Sequence, residues 1–74
     1  MILTILNTQS NYIKSVEYNY NCKVFTIDFG TELVAYYQVP SQVADLMLGM
    51  HITEFFLQYI DIQYNYKVLR RYAA

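Results

Sequence analysis

Residues 24–40, VFTIDFGTELVAYYQVP, decide the fold of this protein. Phe25 and Ile27 alternate with smaller or polar residues, which predicts a half-buried strand with its aromatic side inward. Gly30 marks a turn, and Pro40 ends the next strand because proline has no amide hydrogen to give to a sheet. The stretch therefore predicts an antiparallel hairpin.

The second strand of this hairpin contains two adjacent tyrosines. Tyr36 and Tyr37 point to opposite faces of a strand, so at most one of them belongs to the core. We assign Tyr37 to the core and Tyr36 to the exposed side, where a ring stacks on a nucleobase for about 1–3 kcal/mol. Cross-strand packing of Tyr36 with Tyr18 or Phe29 is the structural alternative.

The segments on either side of the hairpin complete the predicted domain. Residues 10–18 fit a short strand, residues 19–21 are turn formers, and residues 1–6 fit an edge strand. Ser41 and Thr53 are candidate N-caps of two short helices. The fold class is α+β, with an antiparallel sheet of three to four strands (β-β-β-α-α) and both helices packed on one face. Tyrosines on the other face would bind a partner.

Composition excludes several classes of protein. A chain of 74 residues forms one small domain, and 15% charged residues is well below the typical value of about 25%. Nine tyrosines and a net charge of −1 exclude a disordered tail and a conventional basic nucleic-acid protein. Cys22 has no second cysteine to pair with, and one Cys and one His make no zinc site, so we expect no disulfide, metal or cofactor. The apolar start is too short for a signal peptide or membrane span, which predicts a cytoplasmic protein without membrane contact.

The charges are unevenly distributed along the chain. Residues 1–66 hold two lysines and six acidic residues, a formal charge of −4. Residues 67–74 hold Lys67, Arg70 and Arg71, a charge of +3. This basic C-terminal tail is the cation cluster available for phosphate, and solubilisation is the alternative role for it.

Four motifs follow one another along the chain: Ser10-x-x-Ile13-x-x-Val16-x-Tyr18, Phe25-x-Ile27-x-Phe29-Gly30, Tyr36-x-x-Val39-Pro40 and Phe55-Phe56-x-x-x-Ile60-x-x-x-Tyr64. In this order they resemble a known family, the KTSC domain, named for the C-terminal end of certain lysyl-tRNA synthetases. The resemblance covers residues 10–64 of a single domain spanning 1–74 and departs from the family pattern at several positions, among them Thr53, where the pattern has glycine. It implies a non-catalytic module, suspected of RNA contact, with no cofactor.

No arrangement of residues in the sequence predicts catalysis. Histidine is the side chain best suited to general acid–base chemistry near neutral pH, but no nucleophile or paired acid accompanies His51 in a recognisable motif. We expect Phe56 to pack in the core and Phe55 to cap a neighbouring subunit. The candidate ligand-binding residues are Tyr36, Tyr18, Phe55, His51, Lys67, Arg70 and Arg71.

These observations predict a non-catalytic, self-associating binding module. Its expected ligand is of the nucleotide type, either a small signalling nucleotide, as in a viral sequestering protein, or RNA. The acidic body of the chain weakens the RNA alternative, because RNA affinity rests largely on phosphate neutralisation. The alternative function is a protein–protein adaptor that has no small-molecule ligand.

Overall fold

The computed structural model describes residues 1–6, 8 and 10–72. Five strands and two short helices make up the fold. The elements are β1 (Ile2–Ile5), β2 (Ser15–Asn19), β3 (Val24–Asp28), β4 (Glu32–Tyr36), α1 (Ser41–Leu46), α2 (Ile52–Phe55) and β5 (Tyr66–Arg71). A 3₁₀ turn (Met47–Gly49) follows α1, and a π turn (Phe56–Ile60) follows α2.

The strands form one antiparallel sheet in the order β1-β2-β3-β4-β5. The helical segment between β4 and β5 packs on one face of this sheet; for example, the Phe55 ring lies 5.7 Å from the Phe25 ring. The α+β class, the antiparallel sheet, the two short helices and the N-terminal edge strand are confirmed. The fully buried side chains include Ile13, Val16, Tyr18, Phe25, Ile27, Val39, Phe55 and Ile60.

The sheet has one strand more than the sequence predicted, and that strand lies in the predicted basic tail. Residues 66–71 form β5, paired with β4 through Val34↔Val68 and Tyr36↔Tyr66. The strand gave little hydrophobic signal because its only half-buried residue is Val68 and a register shift interrupts its alternation. Its three cations are exposed along an edge strand, a common way to protect a sheet edge from unwanted pairing. Residues 73–74 of the predicted tail lie outside the described residues.

The face assignment of the two adjacent tyrosines was wrong. Tyr36 is only 6% exposed and lies on the helix-covered face, where it pairs with Phe25, whereas Tyr37 is half-buried beyond the end of β4. Both alternating sets of residues in this strand are apolar, so the pattern alone does not choose between them. The register with β3 decides the face, because it places Tyr36 opposite the buried Phe25.

The open face of the sheet does not carry the strand tyrosines. A row across the covered face reads Leu3, Tyr18, Phe25, Tyr36 and Tyr66. The neighbouring row on the open face reads Thr4, Glu17, Thr26, Ala35 and Lys67. The expectation of a tyrosine-bearing open face was therefore wrong.

Both helices begin without a side-chain cap. Pro40 and His51 are the N-cap residues, and neither makes a capping hydrogen bond. Ser41 is instead the first residue of α1, and Thr53 lies one residue inside α2. Within residues 1–6, 8 and 10–72, no helix is long and apolar enough to cross a membrane.

Candidate functional site

A cleft of about 470 Å³ opens at one end of the helix-covered face. The loop before β2, the β3–β4 turn, the π turn and the start of β5 form its walls. Its volume falls in the range of ordinary small-molecule sites. Five aromatic residues line it, and we call it the aromatic cleft after them: Tyr12, Phe29, Tyr36, Phe56 and Tyr66.

Phe56 is the centre of the ring cluster. Its centroid lies 5.3 Å from that of Phe29, 5.9 Å from that of Tyr36 and 6.1 Å from that of Tyr12. The Tyr36 and Tyr66 centroids are 5.7 Å apart. These distances are typical of tilted and edge-to-face packing, which holds the rings in fixed orientations. Tyr66 is 64% exposed, so one wall of the cleft offers a free ring surface.

Two carboxylates, Glu32 and Asp61, lie in the same lining. Among the lining residues that the structure describes there is no lysine, arginine or histidine. Arg71 lies beside this lining, with its Nε 3.5 Å from Oε2 of Glu32. The cleft thus combines aromatic walls with a negatively charged rim.

The π turn brings Phe56 and Asp61 to the cleft together. The amide of Asp61 donates to the carbonyl of Phe56 at 2.8 Å, across five residues. π turns are rare in proteins, and many of those that occur lie at functional sites. Its effect here is to put an aromatic ring and a carboxylate into one lining.

Ile62, in the lining of the cleft, has a strained backbone and an exposed apolar side chain. Its φ is 56°, in the left-handed region that β-branched residues avoid. Its side chain is also 93% exposed. Strained backbone of this kind clusters at ligand sites.

The loop that carries Tyr12 is tied to α2 through Ser10. The Ser10 hydroxyl oxygen accepts from the amides of Tyr12 at 3.0 Å and Ile13 at 3.1 Å. It also lies 2.6 Å from the hydroxyl of Thr53. Thr8 donates its hydroxyl to the carbonyl of Ile13. This network fixes the wall that Tyr12 forms.

The Tyr36 hydroxyl remains protonated far above neutral pH. Burial raises the pKa of Tyr36 to about 12, and the negative charges of Asp61 and Glu32 add to the effect. A neutral hydroxyl both donates and accepts a hydrogen bond. Tyr36 thus offers the cleft a polar group that does not ionise at physiological pH.

Of the seven predicted ligand-binding residues, Tyr36 alone lines the cleft, and Arg71 reaches its rim through Glu32. Tyr18 and Phe55 are fully buried, so neither presents a ring surface to a ligand or to a neighbouring subunit. The Tyr18 hydroxyl donates to the carbonyl of Val39 at 2.6 Å, and Phe55 packs on Phe25 instead of a neighbouring subunit.

The other three predicted residues are exposed away from the cleft lining. His51 precedes α2, where its carbonyl accepts from the amide of Phe55 at 2.9 Å. Lys67 and Arg70 pair with open-face positions of β4. The described structure brings neither of these cations into the lining beside Tyr36.

Sequence reasoning missed most of the cleft. Phe56 was predicted to be a core residue, and no ligand-binding role was predicted for Tyr12, Phe29, Asp61 or Tyr66. A usable signal was the presence of two tyrosines and one aspartate within residues 61–66, which is unusual for a plain connection. The π turn itself leaves no sequence pattern.

Comparison with known proteins identifies the architecture. The structure matches the crystal structure of a KTSC domain protein from Yersinia pestis with a TM-score of 0.83 and 17% sequence identity, over 95% of this chain and 100% of that one. The chain has a KTSC-like fold. No family model matches the sequence, and no curated protein matches it.

The KTSC-like fold confirms the resemblance seen in the sequence at the level of architecture. Ser10, the first residue of the motifs quoted for that resemblance, shares a hydrogen bond with Thr53, a position at which the resemblance implied glycine. This pair of hydroxyls fastens the Tyr12 wall to α2.

Proposed function

We propose that the protein is a non-catalytic, self-associating binding module that holds a small ring-bearing ligand in the aromatic cleft. The observation that carries this proposal is the cluster of five rings around about 470 Å³ of open volume, with one ring, Tyr66, 64% exposed. Flat ligands gain affinity from such rings by stacking.

The polar groups of the cleft support recognition of a ligand with hydrogen-bond donors. Glu32 and Asp61 are acceptors when ionised, and the neutral Tyr36 hydroxyl adds a donor and an acceptor. A nucleobase has a ring of suitable shape and amino groups that carboxylates accept from. The phosphate of a nucleotide would have to bind outside the rim, where Arg71 already pairs with Glu32. The geometry therefore supports the ring of a nucleotide-type ligand better than its phosphate.

Release of bound small molecules tests this function. Protein purified natively from cells of its source is denatured, and the released small molecules are identified by mass spectrometry. We expect a ring-bearing compound in stoichiometric amount from the wild type and about tenfold less from Tyr66→Ser, because removing one stacking surface costs roughly 1–3 kcal/mol.

Leu48→Ser is the matched control for this experiment. Leu48 is 64% exposed, as Tyr66 is, but it does not line the cleft. The control should retain the compound at the wild-type level. Equal retention by Tyr66→Ser and Leu48→Ser would overturn the assignment of the cleft as the binding site.

The β1 edge supports self-association. β1 reads Ile-Leu-Thr-Ile, without charge or proline, and Ile2 is 55% exposed. Uncharged edge strands of this kind pair readily with another strand. Two copies of β1 would pair about a twofold axis and extend the sheet, whereas two copies of β5 would place their cations against each other.

Sedimentation velocity tests this association. We expect a dimer at micromolar concentration for the wild type and a monomer for Thr4→Lys, which places a charge on the exposed side of β1. Lys67→Thr, on the opposite edge strand, is the control and should remain dimeric. A wild-type protein that stays monomeric at these concentrations would contradict the self-association.

A further inference from the structure

We infer that the aromatic cleft selects an organic cation, a planar amidinium, guanidinium or related ammonium group, over neutral and anionic ligands of the same shape. This inference rests on the proposed function of the cleft and names the charge of its ligand. It departs from the nucleotide-type ligand predicted from the sequence.

The charged side chains that line the open volume are negative. Glu32 and Asp61 belong to the lining, while the described lining residues include no cationic side chain. Both acids are half-buried, so their charges are screened less than those on an open surface. An anion entering here would meet two like charges.

The aromatic rings of the lining also favour a positively charged ligand. The face of a tyrosine or phenylalanine ring carries partial negative charge and attracts a cation within about 6 Å of its centroid. Tyr12 and Tyr66 are 50% and 64% exposed, so both offer ring surface to an entering group. Rings and carboxylates therefore favour the same sign of ligand charge, and they do so independently of each other.

Arg71 already places a cation beside Glu32. Its guanidinium group approaches Glu32 from outside the lining, with Nε 3.5 Å from Oε2, and its side chain is 78% exposed. A cation at this carboxylate is thus already accommodated by the structure. Because the Arg71 side chain is largely exposed and its contact with Glu32 is long, the pair is weak, and an entering ligand can replace Arg71 at little cost.

Three probes of nearly identical shape test the inference: benzamidinium, benzamide and benzoate. Their affinities for the full chain are measured at neutral pH by two-dimensional NMR titration. We expect benzamidinium to bind about tenfold more tightly than benzamide, and benzoate to bind most weakly. Added salt should reduce the advantage of benzamidinium and leave benzamide unchanged.

Variants at the rim give effects of opposite sign. Glu32→Gln and Asp61→Asn should each weaken benzamidinium about two- to fivefold without changing benzamide. Arg71→Gln should strengthen benzamidinium, because it frees Glu32. Glu17→Gln removes a charge on the open face and is the matched control for net charge, with no expected effect.

The outcomes separate the inference from the proposed function. Equal binding of all three probes at the cleft, or tightest binding of benzoate, would leave the cleft as a ligand site and overturn the charge selection. A loss of benzamidinium binding in Arg71→Gln would also overturn it. Binding of no probe would overturn both. A blocked arginine and a pentapeptide with a central arginine are then compared. Equal affinities would mean that the cleft admits the arginine side chain of a polypeptide. Weaker binding of the pentapeptide would mean that the cleft selects a free cation.

Discussion

Among the residues that line the cleft, Ile62 has a left-handed backbone and Tyr36 has a buried hydroxyl. Ile62 has a φ of 56° and is 93% exposed, so neither its backbone nor its side chain stabilises the free protein. Tyr36 is held neutral in the same lining. The contributions of both residues can be measured through the free energy of unfolding.

Replacing Ile62 should reveal the backbone strain at this position. Ile62→Gly relieves the left-handed strain, and we expect the free energy of unfolding to rise by about 0.5–1 kcal/mol in a urea titration. Gln63→Gly, next to it but without a positive φ, should lower stability by a similar amount. A drop in stability for Ile62→Gly would show that this position is not strained.

Alkaline titration tests the environment of Tyr36. Burial raises the pKa of this residue to about 12 from 10.0, so its neutral form is favoured in the folded state. The resulting stabilisation is complete below pH 10 and is lost as the pH rises through about 12, by at most about 2–3 kcal/mol. Between these pH values the unfolding free energy of Tyr36→Phe should fall less steeply than that of the wild type. Identical slopes would contradict the burial of the hydroxyl.

Among the elements, β5 connects the sheet to the cleft. It supplies Tyr66 to the aromatic wall and Arg71 to the rim. Its central residue, Val68, packs partly against the core, whereas Leu69 lies at the register shift and is 49% exposed. The strand that sequence reasoning treated as a tail is therefore required to form the cleft.

Two truncations test the docking of β5. Val68→Ala should lower the free energy of unfolding by about 1 kcal/mol, because it removes partly buried apolar surface. Leu69→Ala should change it by less than about 0.5 kcal/mol. Both values come from chemical denaturation monitored by circular dichroism. Equal effects of the two changes would mean that β5 is not docked in this register.

The elements that the sequence predicted well are those with a one-sided hydrophobic pattern. β3 alternates cleanly, and its inward residues Phe25 and Ile27 are fully buried as expected. β4 is apolar on both sides, so its pattern placed Tyr36 on the wrong face. The π turn and β5 depend on tertiary contacts, which is why the cleft that they build could not be predicted from local sequence.

At the scale of the whole molecule, the uneven charge distribution has a structural consequence. The acids of the body include the two at the cleft, and the C-terminal cations lie along the opposite sheet edge from β1. One small domain thereby separates an uncharged edge, a cationic edge and an acidic aromatic cleft. Self-pairing at β1 would leave the other two surfaces free for ligands.

The central claim is that the molecule binds ligand at the aromatic cleft, and backbone chemical-shift mapping with benzamide tests it most directly. A neutral planar probe removes the question of charge selection. We predict that the largest amide shifts fall at Tyr12, Glu32, Asp61 and Tyr66, which surround the cleft. Shifts concentrated instead on the open face, in the row from Thr4 to Lys67, or no shifts with either benzamide or benzamidinium at millimolar concentration, would contradict binding at the cleft.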